Sequence, residues 1–116
     1  MQNKRQTGAR YEKLAGAFLE ENGCQILEYN YYFRGGEIDL IMKDGEYLVF
    51  CEVKYRKDES KGSPLEAVDL RKQRSMIKGA RLYLVKAGLF DVPCRFDVIG
   101  ICGEKVEWIQ NAFEAF

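Results

Sequence analysis

Apolar residues in the segment 8–22 recur with a helical period. Tyr11, Leu14, Ala15, Phe18 and Leu19 share one stripe, and Gly23 stops it. The pattern then changes. Gln25 to Phe33 is rich in Ile, Tyr and Phe and predicts a strand; 37–42 predicts a second, and Tyr47 to Arg56 a third. Asp44-Gly45, between the second and third, is a hairpin turn signal. The stretch 57–62 reads as a polar loop. Ser63-Pro64-Leu65-Glu66 has the form of a capping box with Pro at the first helical position, so a helix is expected from Pro64. Asp69 is placed to cap a second segment running to about Ala87 and ended by Gly88. A further strand is expected over 95–102, and 106–110 can pair with it across Gly103-Glu104. The order is helix, three strands, helix, one or two strands: an α/β layout with an antiparallel hairpin in the middle of the sheet.

Composition narrows the picture. A chain of 116 residues is expected to form a single domain over 1–116, with seven Phe and seven Tyr giving bulk for one core. No apolar run approaches the roughly 20 residues that span a bilayer. The first ten residues are polar and lack the apolar centre of a signal peptide, so a cytoplasmic protein with no membrane partner is expected. Cys24, Cys51, Cys94 and Cys102 are scattered without zinc-site spacing, and are read as free, mostly buried thiols. The chain has no histidine, which removes Ser-His-Asp and Cys-His catalysis. Chemistry must come from carboxylates, Lys, Tyr, Cys or a metal held by oxygen.

The hairpin supplies such a set. With Asp44-Gly45 as a two-residue turn, Lys43 faces Glu46, Ile41 faces Leu48 and Asp39 faces Phe50. Opposed residues share a face and faces alternate, so Asp39 shares its face with Phe50, Glu52 and Lys54, and Glu37 joins them opposite Glu52. A slip of one residue would dissolve the set. One reading is a cross-strand ion-pair network at a sheet edge. The other is a site for a hard divalent cation, Mg²⁺ or Mn²⁺, held by Asp39, Glu52 and the Val53 carbonyl, with Lys54 beside it and Glu37 as an additional acid. Such a cation polarises a phosphate oxygen and acidifies a bound water, while Lys54 orients that water or neutralises developing charge. Glu12 lies at the border of the helical stripe. Its head either reaches water or faces the hairpin site.

Net charge is zero, yet its distribution is uneven: between Val53 and Lys86 ten basic residues stand against four acidic ones. Arg56, Arg71, Lys72, Arg74 and Lys78 belong to this stretch. It is either a solvated helix face or a phosphate-binding surface.

Gly36-Glu37-Ile38-Asp39-Leu40-Ile41, followed by Leu48-Val49-Phe50-Cys51-Glu52-Val53-Lys54-Tyr55-Arg56, resembles the signature of the YraN family of bacterial proteins. The likeness continues at Gly62-Ser63-Pro64-Leu65-Glu66-Ala67-Val68, Arg71-Lys72-Gln73-Arg74, Arg95-Phe96-Asp97-Val98 and Asn111-Ala112-Phe113. That family is grouped by similarity with archaeal-type Holliday-junction resolvases and the restriction-endonuclease-like fold. The resemblance implies an αβββαβ core and a PD-(D/E)XK nuclease centre at Asp39, Glu52 and Lys54. It implies Glu12 as the first-helix acid, and Gln73 or Lys72 as the polar residue offered by the helix after the Glu-x-Lys strand. Tyr11, Cys51, Tyr55 and Tyr32 stand where that family usually has Gly, Val, Thr and Arg.

Three functions emerge as expectations. One is a Mg²⁺- or Mn²⁺-dependent endonuclease acting on DNA, in preference to RNA, with branched or structured DNA as substrate. Another is a non-catalytic nucleic-acid-binding module gripping phosphate with the basic segment 71–81. The third is a protein–protein adaptor or dimeric structural protein whose interface is Tyr29-Asn30-Tyr31-Tyr32-Phe33. Resolvases of this fold act as dimers, because a symmetric junction needs two sites, and the resemblance leaves a homodimer open for this chain.

Overall fold

The computed structural model describes residues 4–58 and 62–115, with side chains from Thr7 onward. In chain order it contains α1 (Lys4–Glu21), β1 (Gln25–Phe33), β2 (Gly36–Asp44), β3 (Tyr47–Arg56), a 3-10 turn (Pro64–Ala67), α2 (Leu70–Ala87), β4 (Cys94–Cys102) and β5 (Lys105–Phe113). The predicted loop over 57–62 falls partly outside the described residues, and Glu59 and Lys61 with it. The strands form one sheet in the order β1-β2-β3-β4-β5. Neighbours are antiparallel except β3 and β4, which run parallel and are joined through α2. This is the expected α/β mixed sheet with its central antiparallel hairpin: the αβββαβ order of a restriction-endonuclease-like core, with β5 added at the far edge.

Local chemistry sets the element ends. Gly23 (φ 92°) lets the chain leave α1 while the Cys24 N–H returns to the Leu19 carbonyl at 3.0 Å. Asp69 caps α2 by accepting the Lys72 N–H at 2.9 Å, and Gly88 (φ 69°) ends it, with the Leu89 N–H on the Leu84 carbonyl. The helix expected from Pro64 is a single 3-10 turn. The Ser63 hydroxyl takes the N–H of Leu65, two residues on, and the chain breaks step at Val68 before α2 begins.

The hairpin register differs from the expected one. Asp44 pairs with Tyr47, Ile41 with Phe50 and Leu40 with Cys51, so the turn residues are Gly45 and Glu46. Gly45 has φ 61° and Glu46 does not share that sign, as a type II′ turn requires. Asp44-Gly45 therefore marks the turn without centring it. The displacement is two residues, which conserves which face each β3 residue presents.

Two apolar layers cover the sheet. Ile38, Ile41, Leu48, Phe50, Phe96 and Val98 meet Met76, Ile77 and Ala80 of α2. On the other face Leu40, Met42, Val49, Cys51, Ile99 and Ile101 meet Ala15 and Leu19 of α1. Leu14 is 48% exposed. The buried stripe of α1 is centred on Ala15, Gly16 and Leu19, with Glu12 in line with them rather than at the border.

Strict alternation fails where Asn30 of β1 and Asp39 of β2 stand opposite each other. Ile38 faces α2, yet Leu40 and Met42 face α1. Opposite them, Tyr31 packs on the α2 side and Tyr29 on the α1 side. The residues between, Asn30 and Asp39, stand where both strands turn over, and Asn30 has φ 54°. The expected common face for Asp39, Phe50, Glu52 and Lys54 is thereby corrected: Asp39 turns toward α1, while Phe50 packs toward α2.

The aromatic strand is largely absorbed into the two layers, and Tyr32 alone of its tyrosines projects, 66% exposed. All four cysteines are free, but only Cys24 and Cys51 are buried; Cys94 is exposed. The far edge is tied by Asp97, fully buried, which accepts from Arg95, Trp108 and the Asn111 N–H. No helix among the described residues is long and apolar enough to cross a membrane.

Candidate active site

Past Leu40 and Cys51 the ladder between β2 and β3 gives out. Side chains take over. The Asp39 carboxylate accepts the Val53 N–H at 2.9 Å, so the first polar group beyond the last pair is satisfied by an acid instead of a carbonyl. Glu12 from α1, Glu37 from β2 and Asp39 place carboxylate oxygens within 4.8 Å of one another. Glu52 of β3 comes from the α2 side, 3% exposed, and lies within hydrogen-bonding reach of Asp39. The site thus sits in the opening between two strands, fed from both faces of the sheet.

Its electrostatics are those of crowded, buried acids. Burial pushes the Asp39 carboxyl up to about 9, with the charge of Glu52 adding to the shift and the Val53 N–H opposing it. Glu12 is raised by burial, against hydrogen bonds from Asn30 and Asp39. Cations meet it from one side: Lys54 Nζ is 3.2 Å and Lys72 Nζ 3.4 Å from Glu52 Oε2. The other oxygen of Glu52, and Oε2 of Glu37, are buried without any hydrogen-bond partner. A buried carboxylate oxygen left without a donor is costly. An all-oxygen set with such orphaned atoms fits a hard cation such as Mg²⁺ or Mn²⁺.

Of the residues singled out from sequence, the structure gathers Glu12, Glu37, Asp39, Glu52 and Lys54 and brings Lys72 to them. Lys72 belongs to this cluster and not to the outer face of α2. Val53 meets it through its N–H. Gln73 is turned away, its amide donating to the Val68 carbonyl at 3.1 Å. Arg56 donates to the Gly62 carbonyl at 3.0 Å, bracing the segment after β3. Arg71, Arg74 and Lys78 are exposed on α2, and the Lys78 ammonium lies beside Gly35 in the turn between β1 and β2.

Sequence reasoning missed Asn30. Its side chain bonds Glu12, and its left-handed backbone turns β1 over opposite Asp39. The signal was present: one Asn, a residue that tolerates positive φ, within a run of strand formers.

The profile of "Uncharacterised protein family UPF0102" matches residues 11–101, from just before Glu12 into β4. A UPF0102 protein of Desulforapulum autotrophicum is 47% identical over 119 residues, covering 98% of each chain. One of Chromohalobacter salexigens is 44% identical over 118 residues, covering 98% of this chain and 95% of its own. Another, of Lachnoclostridium phytofermentans, is 44% identical over 115 residues and 98% of each chain. The chain therefore belongs to the UPF0102 family, the YraN family whose signature its hairpin resembles.

Proposed function

We propose that the protein is a metal-dependent endonuclease of the PD-(D/E)XK type, hydrolysing phosphodiester bonds in branched or structured DNA in the cytoplasm. The observation that carries this reading is the pair of orphaned, buried carboxylate oxygens on Glu37 and Glu52, set among Glu12, Asp39 and Lys54. A purely structural ion-pair network is expected to pair such atoms.

Asp39 and Glu52, with Glu12 and Glu37, would hold Mg²⁺ or Mn²⁺. Bound there, the cation supplies Lewis acidity at the phosphate and at the attacking water. Asp39 is held by the Val53 N–H, so its carboxylate is aimed before substrate arrives. Lys54 and Lys72 compensate Glu52 in the resting protein. With phosphate present, the Lys54 ammonium orients the water or offsets charge developing on the phosphoryl oxygens. Lys72, carried on the capped first turn of α2, reinforces the same field. The exposed Arg71, Arg74 and Lys78 grip the flanking backbone. A homodimer would present two such sites to a symmetric junction.

The test is a panel of labelled branched and linear DNAs, with an RNA arm, incubated with Mg²⁺ or Mn²⁺ beside Lys54→Ala. Calorimetric titration with Mn²⁺ accompanies it. Equal Mn²⁺ binding by wild type and Asp39→Ala, or none by wild type, would sink the metal centre. The exposed cations of α2 favour a second reading, a binding module without catalysis. It predicts salt-sensitive DNA binding with no cleavage under any metal.

A further inference from the structure

Tyr11 and Tyr55 form a stack at the margin of the α1-side layer. Their ring centroids are 3.9 Å apart and the planes differ by 15°. Isolated aromatic pairs prefer offset or edge-on geometry at larger separations. Tyr11 packs on the α1-side layer. Tyr55 belongs to neither layer and is 39% exposed. Each ring is the chain neighbour of a site residue: Tyr11 precedes Glu12 on α1, and Tyr55 comes after Lys54 on β3. The stack therefore lies on the α1 side of the sheet, one residue along α1 from Glu12 and one along β3 from Lys54.

We infer that Tyr55, backed by Tyr11, is a stacking platform for an unpaired base next to the phosphate bound at the acid–lysine cluster. This rests on the nuclease reading for its phosphate and adds the substrate class: DNA with an unpaired nucleotide beside the bond, as in an overhang, a flap or an open branch point. Two rings already parallel at van der Waals distance extend naturally by a third, and every base offers a π-face, so the platform is indifferent to sequence. A base inside a duplex is already stacked on both sides. The platform thus selects structure without reading bases.

The test uses the full chain with Ca²⁺ in place of Mg²⁺, and gels confirm that the DNA stays intact. The probe is a hairpin DNA whose first unpaired overhang base is 2-aminopurine, beside a blunt hairpin with the same stem. Wild type is expected to bind the overhang hairpin more tightly and quench 2-aminopurine fluorescence. Tyr55→Leu keeps an apolar side chain against Tyr11 without a π-face. It is expected to weaken overhang binding roughly tenfold, abolish the quench and leave blunt binding unchanged, while Tyr55→Phe retains all three. The wild-type quench stands as a reading even if the leucine variant does not fold. No overhang preference in wild type, or Tyr55→Leu matching wild type, or equal weakening on both hairpins, overturns the platform. Mn²⁺ binding and cleavage are measured separately, so a failed metal centre and a failed platform give different results.

Discussion

Asp39 concentrates the cost of the site in one side chain. Burial and the charge of Glu52 raise its carboxyl to about 9, against an ordinary carboxylate value of about 4. Between those values the folded chain holds a proton that the unfolded chain has released. More protons bound in the native state means that stability falls as pH rises through that window. Glu12 is raised in the same direction by burial. Thermal melts in EDTA are expected to show Tm declining from about pH 5 to about pH 9; a flat or rising Tm would show that these acids ionise together in the fold. Asp39→Asn keeps an acceptor for the Val53 N–H and removes one acid. It is expected to stabilise the metal-free protein by about 1–2 kcal/mol and to lose Mn²⁺ binding, read by urea denaturation and calorimetry. Asn30 makes a second argument at this scale. Its φ of 54° suits Gly and not a β-branched residue. Asn30→Val should cost about 1–2 kcal/mol or more from backbone strain. Asn30→Gly should retain the fold yet weaken Mn²⁺ binding, because Glu12 loses its partner.

At the scale of elements, the 3-10 turn pins the chain to the sheet between β3 and α2. Pro64 is buried against Gly100 of β4, and a Cβ on Gly100 would collide with the proline ring. A proline ring cannot swing aside as a long side chain can. Gly100→Ala is therefore expected to destabilise by about 1–3 kcal/mol, measured by urea denaturation. A neutral result would show that the turn can lift off the sheet. Asp69 sets the start of α2 three residues before the Lys72 N–H that it accepts. Both caps of α2 were readable in the sequence because a cap needs only its own side chain and the next turn. The helix expected at Pro64 was not, because a four-residue segment is decided by what it packs against.

Across the whole molecule, zero net charge conceals separation. Acids gather between α1 and the hairpin, while Arg71, Arg74 and Lys78 lie exposed on α2. If these three cations each meet a phosphate, log Kd against log salt should have a slope of magnitude roughly 3. Arg74→Ala with Lys78→Ala should make it shallower by about 2, in fluorescence anisotropy across a salt series. An unchanged slope would place nucleic acid elsewhere on the protein.

The sequence by itself determined the order of elements, the caps of α2 and the absence of histidine chemistry. Those depend on local periodicity, on turn residues and on composition. Asp39, Glu52 and Lys54 were singled out chiefly by the hairpin's resemblance to a family signature. Only the tertiary structure decided how the site is assembled. The turn at Gly45-Glu46 shifted the register by two, and even parity kept Glu52 and Lys54 on the side where Lys72 arrives. Asn30 and Asp39 turned their strands over, so that Asp39 faces Glu12 instead of sharing the face of Phe50. Period-2 reasoning cannot see such a reversal. It arises from one residue's backbone angle and the strand opposite, which meet only when the sheet forms.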